Sequence, residues 1–324
     1  MSKSLIPVYR WGRSWSRKRI VNLLLLVLLM KIFHLNWNLS FQIFVATVAL
    51  LVGIPHGAID HLISIKPHPR SRFILFIAIY TAIAIMAGWA ISTWNLLGFQ
   101  LVVIMSALHF GFGDTSFIAE LRQSSGKRPA TLLTEFAYAL SAGFTPLILP
   151  LTDSRTLGAL NKINPHLDHW AGTHAHSFRE ITYLLVTISM ILFLLKARFD
   201  LGLDLFLILL LSIYAPPLIA FAAYFGFWHA IRHTARLVPK LPRARYLAEQ
   251  GRWRRAIWAA IRPGLYAIVG TIVVAIGLTQ LPDHRFSTGL LWPVLVIIWA
   301  LTVPHMLTTA RFDLKDLSLP FRDK

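Results

Sequence analysis

Histidines inside apolar stretches are the residues of this sequence whose types and spacing could do chemistry. An ionisable side chain within a membrane span is costly to bury and usually has a function. His229 and His233 lie four residues apart, which places both imidazoles on one helix face, where they can bind one metal ion. Such histidines occur in four segments: 53–61 (His56 and His61), 106–114 (His109), 227–233 (His229 and His233) and 303–306 (His305).

The metal chemistry open to these histidines is limited by the lack of cysteine in the chain. Disulfides, iron–sulfur clusters and thiolate ligands are excluded. Neutral imidazoles suit Fe(II), Zn or Cu. We predict that His56, His109, His229 and His233 share one metal site. For His61 and His305 taken alone, hydrogen bonding at a helix end is the simpler interpretation.

Carboxylates and glycines accompany the histidines. Asp60 and Asp114 follow His56 and His109 by four and five residues. They could accept the second ring N–H and fix the tautomer of the ligand, which is the preferred interpretation, or bind the metal directly, or cap helix ends. The neighbouring glycines allow close backbone approach or an open pocket, although ordinary helix packing also uses small residues: Gly53, Gly57, Gly111, Gly113 and Gly226.

Long apolar runs must position these side chains. Of the 324 residues, 56% are hydrophobic and 14% charged, whereas a soluble domain carries about a quarter charged residues. A bilayer core requires roughly 20 apolar residues for each spanning helix. We predict an all-α, polytopic integral membrane helical bundle with about ten transmembrane helices. They are placed at 20–36, 41–61, 73–93, 96–114, 131–151, 180–196, 201–216, 217–236, 264–282 and 288–308.

The seventh and eighth of these spans are joined only by Ala215-Pro216-Pro217. They could form one broken helix or a tight hairpin, because proline interrupts a helix.

The distribution of Lys and Arg predicts how the spans are oriented. If the N-terminus is cytoplasmic and ten spans alternate, most of the 32 Lys and Arg residues, including Lys66 and Arg128, lie on the cytoplasmic side. The five on the outer side are Lys31, Arg155, Lys162, Arg179 and Arg285. Both termini are therefore predicted to be cytoplasmic in a multi-pass protein of the plasma membrane. The basic balance is assigned to the membrane surface and not to nucleic acid.

This topology divides the chain into a basic cytoplasmic tail (1–19), one transmembrane domain (20–310) and a cytoplasmic C-terminal tail (311–324). All four even-numbered spans with histidines carry them in the last third, so the histidines are predicted to lie at similar depth. Four helices could therefore converge on one site. The largest outer loop is interpreted as solvated; it contains His166, His169, His174 and His176.

Three of the histidine segments resemble the Brp/Blh-type membrane β-carotene 15,15′-dioxygenases found with microbial retinal proteins. The resemblance rests on Pro-His-Gly-Ala-Ile-Asp at 55–60, His-Phe-Gly-Phe-Gly-Asp at 109–114 and Trp-His-Ala-Ile-Arg-His at 228–233. It covers about residues 45–310. The N-terminal tail and first span contribute nothing to it.

This resemblance implies non-haem Fe(2+) held by His56, His109, His229 and His233, with His61 and His305 in supporting or structural roles. The implied reaction inserts both atoms of O₂ at the central double bond of β-carotene and gives two all-trans retinal molecules. Implied partners are β-carotene or a related polyene, O₂, membrane lipid and an opsin that accepts retinal. The protein would place one double bond beside the metal and exclude water.

Three other functions are weighed against this one. A membrane hydroxylase or desaturase with two irons requires about eight histidines with adjacent His-His pairs, and the sequence has no such pair. A haem-binding carrier needs two histidines at one depth, which this chain could supply. A transporter could use histidines as proton relays, but transporters often show internal repeats, and none is evident here. An oxygenase for another carotenoid or lipid also remains open.

Overall fold

The computed structural model describes residues 3–65, 69–127, 130–167, 169–280 and 291–315. These residues form helices and connecting turns, with no β-strand among them. Several of the predictions fall outside the described residues. They are the loop positions Lys66, Arg128 and Arg285, the span ends at 281–282 and 288–290, and tail residues 1–2 and 316–324.

Fifteen α-helices occur among the described residues. In chain order they are α1 (Ile6–Ile32), α2 (Leu39–Gly53), α3 (Asp60–Ser64), α4 (Arg70–Thr93), α5 (Asn95–Ser124), α6 (Leu132–Leu151), α7 (Ser154–Ile163), α8 (Ala175–Leu195), α9 (Phe199–Tyr214), α10 (Pro217–Ala223), α11 (Ala230–Leu237), α12 (Pro242–Glu249), α13 (Trp253–Ile261), α14 (Leu265–Thr279) and α15 (Leu291–Lys315). The all-α prediction is thus confirmed.

Seven helices of the described chain are long and apolar enough to cross a membrane, which indicates a membrane protein. They are Leu39–Ser64, Arg70–Thr93, Asn95–Ser124, Leu132–Leu151, Gly172–Leu195, Trp253–Thr279 and Leu291–Ala310. The other three predicted spans are also helical, as α1, α9 and α10 with α11. Each is less typical of a span, because α1 is basic, α9 has 16 residues, and α11 contains histidine and arginine. The count of ten and the side of each terminus stay predictions.

The first half of α1 differs from the expected tail at 1–19. Helix α1 begins at Ile6, and its inward face is buried at helical spacing through Val8, Tyr9, Ser16 and Ile20. This spacing is that of an amphipathic helix packed on a core. Residues 6–19 therefore pack in the bundle, and residues 20–32 of the span predicted at 20–36 are the second part of a longer helix.

Two breaks in the helices shape the centre of the bundle. Helix α2 ends at Gly53 and is followed by a 3₁₀ turn, Ile54–His56, before α3 begins; Pro55 lacks the N–H that would continue the α-helical ladder. Helices α10 and α11 are joined by a π-helical segment, Tyr224–His229. Helix α9 ends before Ala215, so the seventh and eighth predicted spans are separate helices.

Helix α5, which carries His109, packs closely on α6 through glycine. A Cβ atom at Gly111 would lie 1.9 Å from the Ala139 carbonyl oxygen, and one at Gly143 would lie 2.0 Å from that of Ala107. Close backbone approach through small residues is how membrane helices gain packing energy. The two glycines therefore determine how near α5 comes to α6.

Candidate metal centre and its cavity

Five buried histidines from separate parts of the chain meet in one cluster. The histidine cluster consists of His56 in the 3₁₀ turn, His109 in α5, His229 at the end of the π-helical segment, His233 in α11 and His305 in α15. Neighbouring ring centroids are separated by 4.9 Å (His109 and His229) to 6.1 Å (His109 and His233). The four predicted ligands are therefore together, and His305 joins them.

The cluster has the chemical character of a metal site. Ring nitrogens of His56, His109 and His305 all lie within 4.8 Å of one another, whereas two imidazoles on one metal at about 2 Å each are separated by at most about 4 Å. Shifts of less than about 1 Å in each ring would bring the three nitrogens to bonding distance from one ion. Among the described residues, Nε2 of His229 and both ring nitrogens of His233 have no hydrogen-bond partner. Buried polar atoms without partners are rare, so the cluster fits a bound cation.

The tautomers of two cluster histidines follow from their neighbours. Nδ1 of His56 hydrogen-bonds to the carbonyl oxygen of Gly53, and Nδ1 of His305 lies 2.8 and 3.0 Å from the two carboxylate oxygens of Asp60. Carbonyl and carboxylate oxygens only accept, so both imidazoles carry their proton on Nδ1. The lone pair that a metal ligand requires is then on Nε2 of each ring.

The partners of Asp60 and Asp114 differ from the predicted ones. Asp60 accepts from His305 and from the Tyr80 hydroxyl at 2.9 Å, because the helix break at 54–59 separates it from the His56 ring. Asp114 accepts from Trp228 Nε1 at 2.5 Å. It lies five residues after His109, about 140° around a continuous helix. Of the roles left open for these carboxylates, holding a ring N–H thus applies to Asp60 with His305 as the partner, whereas Asp114 holds the indole N–H of Trp228.

A layer of buried charge lies beside the cluster. The ionic layer consists of Asp114, Glu120, Asp204, Arg232 and Arg236, all with side chains no more than 4% exposed. Arg232 pairs with Asp204 at 3.1 Å and with Asp114 at 3.4 Å, and its guanidinium lies 3.6 Å from the Trp228 ring centroid. Arg236 pairs with Glu120 at 3.0 Å. The Trp and Arg of the third sequence motif therefore bind the Asp of the second.

Helix α1 completes this layer from the N-terminal side. The Tyr9 hydroxyl donates to Glu120 at 2.8 Å, and Arg17 donates to Asp204 at 2.5 Å. The Ser16 hydroxyl accepts from Arg232 at 3.1 Å. The part of the chain that adds nothing to the sequence resemblance thus contacts the segment that carries His229 and His233.

An apolar cavity of about 260 Å³ lies against the cluster. Its polar wall includes His56, His109 and His305, and its apolar wall includes Phe221, Phe225 and Trp299. Ile77 of α4 and Leu301 of α15 also line it and are 38% and 37% exposed on the outer surface of the bundle. The cavity therefore lies close to the outer surface of the bundle, beside α4 and α15.

The remaining histidines of interest lie outside the cluster. His61 is half-buried, lines the cavity and contacts Phe73 with ring centroids 6.0 Å apart. The histidine side chains between α7 and the first turn of α8 are exposed, as predicted for a solvated segment: His166, His169, His174 and His176.

Two site residues were missed or undervalued by reasoning from sequence. His305 was undervalued, although it lies late in an even-numbered span, which is the feature that identified the four predicted ligands. Tyr80 had no such signal, because a tyrosine within an apolar run is typical of any span. Only the fold brings its hydroxyl to Asp60.

Comparison with known proteins gives one family and one curated relative. The family model described as "Beta-carotene 15,15'-dioxygenase" matches residues 47–313, which include all five cluster histidines. A protein of Uncultured marine bacterium 66A03 with the same name is 25% identical over 281 residues, covering 80% of this chain and 90% of the relative. No solved structure matches the chain.

Proposed function

The chain belongs to the beta-carotene 15,15'-dioxygenase family, and we propose that it is an iron-dependent dioxygenase that cleaves β-carotene at its central 15,15′ double bond. Both atoms of one O₂ molecule enter the product, so one C=C bond is replaced by two aldehydes and two all-trans retinal molecules result. The observation that carries the proposal is the buried histidine cluster in contact with an apolar cavity.

The metal is proposed to be Fe(2+), held by His56, His109, His229 and His233. Neutral imidazole is a suitable ligand for ferrous iron. The ring nitrogens of His229 and His233 without partners in the described structure support this assignment. When bound, ferrous iron supplies the capacity to bind and activate O₂, which a spin-paired polyene lacks.

The protein's own tasks are to position the substrate and to exclude water. The cavity walls are mainly aliphatic and aromatic, which suits a polyene and disfavours water. We expect the cavity to hold the reacting double bond, with the ends of the polyene passing between helices toward lipid. Substrate and product are both lipid-soluble, so we expect them to exchange directly with the bilayer on the side of Ile77 and Leu301, without an aqueous route.

The cellular setting follows from the same proposal. We propose ten spans with both termini in the cytoplasm, in the plasma membrane. The retinal released into the bilayer would be taken up by an opsin. Cysteine-accessibility labelling of single cysteines introduced at each end tests the topology, because the chain contains no native cysteine to interfere.

The first test is expression in cells that accumulate β-carotene, with chromatography of the extracted pigments. We expect loss of β-carotene and appearance of retinal with the wild-type chain and with His174→Ala, whose side chain is exposed in the outer loop. The variant His229→Ala should leave β-carotene unchanged.

Other outcomes would change the proposal. Unchanged β-carotene with iron-loaded wild-type protein would mean that the substrate is another carotenoid or lipid. A haem absorbance spectrum of the purified protein would indicate a haem-binding protein. Protein without iron or haem that leaves β-carotene unchanged would overturn the enzyme proposal and favour a transporter.

A further inference from the structure

We propose that His305 is a further ligand of the metal centre, and that Asp60 and Tyr80 are its positioning residues. This inference rests on the proposed function, since it assumes that the histidine cluster binds a metal ion. It adds a fifth imidazole to the four that the sequence resemblance implies.

The position of His305 is that of a ligand. Its ring centroid lies 5.0 Å from that of His109, 5.4 Å from that of His233 and 5.5 Å from that of His56. The side chain is buried, and one of its ring nitrogens falls within the 4.8 Å group formed with His56 and His109. No other three histidine or acidic side chains of the described chain form such a group.

The orientation of His305 is determined by Asp60. The carboxylate is 2% exposed and accepts from Nδ1 of His305, so Nε2 is the nitrogen left with a lone pair. A carboxylate that holds the distal N–H of an imidazole is the usual support of a metal-bound histidine. Tyr80, which donates to the same carboxylate at 2.9 Å, limits the rotation of Asp60.

His305 also lies on the side of the cluster that faces the cavity. Together with His56 and His109 it lines the cavity, whereas His229 and His233 do not. A ligand at this position would therefore lie on the side of the metal centre that faces the proposed substrate.

The experiment compares purified full-length holoproteins under anaerobic conditions. Iron content is measured by mass spectrometry, and the ferrous site by the electron paramagnetic resonance spectrum of its nitric oxide adduct. We expect His305→Ala to lose most of the iron and to change the spectrum of what remains. Asp60→Asn should weaken Fe(II) affinity roughly 10- to 100-fold, and Tyr80→Phe should weaken it less.

A matched control comes from the same helix and the same cavity wall. Thr302 lies one turn before His305, lines the cavity and donates its hydroxyl proton to the Ile298 carbonyl within α15. Thr302→Ala should keep full iron and an unchanged spectrum. If His305→Ala does not fold, His305→Gln retains a donor for Asp60 while removing the imidazole, and the same iron loss is expected.

The outcomes separate this inference from the proposed function. If the wild type binds iron, and His305→Ala or His305→Gln keeps full iron with an unchanged spectrum, the His305 assignment alone is overturned. Wild type that takes up neither Fe(II) nor the probe ion Co(II) would overturn both. If the variants lose iron, but the iron-loaded wild type does not cleave β-carotene, His305 is supported as a ligand and β-carotene is contradicted as the substrate.

Discussion

The histidine cluster and the ionic layer meet at one helical segment, Pro217–Leu237, which supplies His229 and His233 to the cluster and, on the adjacent face, Arg232 and Arg236 to the layer. The two groups differ in how their polar atoms are partnered. In the ionic layer, Arg232 and Arg236 pair with carboxylates of α5 and α9. In the cluster, His233 has no hydrogen-bond partner within the described structure for either ring nitrogen.

This difference separates groups that stabilise the protein from groups that bind something else. Polar atoms are expensive to bury without partners, above all in a membrane. Each side chain of the ionic layer has an ion-pair partner within the chain, so its role is to fix how α1, α5, α9 and α11 pack. Under the proposed function, His229 and His233 of the cluster would meet that requirement by binding a cation. Four predictions test this division, beginning with the largest expected effect.

Removing a cluster imidazole should abolish function and leave the fold intact. In His233→Ala no hydrogen bond of the described structure is lost, so we expect the metal-free protein to be destabilised by only about 1–2 kcal/mol, from lost packing. Iron content and β-carotene cleavage should be lost. Thermal unfolding of metal-free wild type and variant, with iron analysis and pigment chromatography, checks this. Unfolded His233→Ala would show that the cluster stabilises the fold.

Breaking an ion pair of the ionic layer should have its main effect on the stability of the fold, in contrast to removing a cluster imidazole. Arg236→Met leaves Glu120 buried without its cation, which should destabilise the protein by about 3–5 kcal/mol. Adding Glu120→Gln should recover part of this loss, because the amide still accepts from Tyr9 while its charge is gone. Unfolding of both variants in detergent measures the effect. A double variant no more stable than Arg236→Met would contradict the pairing.

The contacts of helix α1 with the ionic layer should contribute less to the free energy of unfolding than the fully buried ion pairs of the layer. Arg17→Ala removes the 2.5 Å contact with Asp204, but Asp204 keeps Arg232, so we expect a loss of about 1–3 kcal/mol. Activity per iron-loaded molecule should be unchanged. Iron-normalised turnover together with unfolding checks this, and the matched substitution Arg10→Ala, on the same helix with an exposed side chain, serves as control.

The smallest effect is expected at the outer loop. His174 is exposed and distant in sequence from every cluster segment, so His174→Ala should change stability by less than about 0.5 kcal/mol and leave iron content unchanged. A measurable loss of iron in this variant would show that the loop takes part in the metal site, and the boundary drawn around the cluster would be wrong.

Much of this arrangement could be predicted from the sequence. Apolar length predicts the helices, and loop charge with histidine depth predicts that His56, His109, His229 and His233 converge. Both rest on averages over many residues, such as the thickness of a bilayer and the sidedness of Lys and Arg. Small local irregularities do not disturb them.

Side-chain partners could not be predicted in the same way, because they depend on local breaks in the helices. The 3₁₀ turn at Ile54–His56 rotates Asp60 away from His56 and toward His305, whereas uniform helical periodicity would stack Asp60 on His56. Likewise, the sequence does not reveal the buried face of α1, because arginines lie next to its buried residues and make the segment look like a solvated tail. Its hydrogen-bond partners in α5, α9 and α11 become known only from the fold.

The π-helical segment Tyr224–His229 has a consequence for how this protein can change in evolution. A π turn contains about one residue more than an α turn, so the segment accommodates one extra residue within an otherwise α-helical rod. Removing that extra residue would let the turn revert to α geometry and leave α10 and α11 in phase, while the side chains on the turn itself, His229 among them, would project in new directions. Side-chain size is constrained there as well, since a Cβ atom at Gly226 would lie 2.6 Å from the Ala49 carbonyl oxygen. A change of one residue in the length of this segment would therefore alter the histidine cluster while sparing the helices on either side.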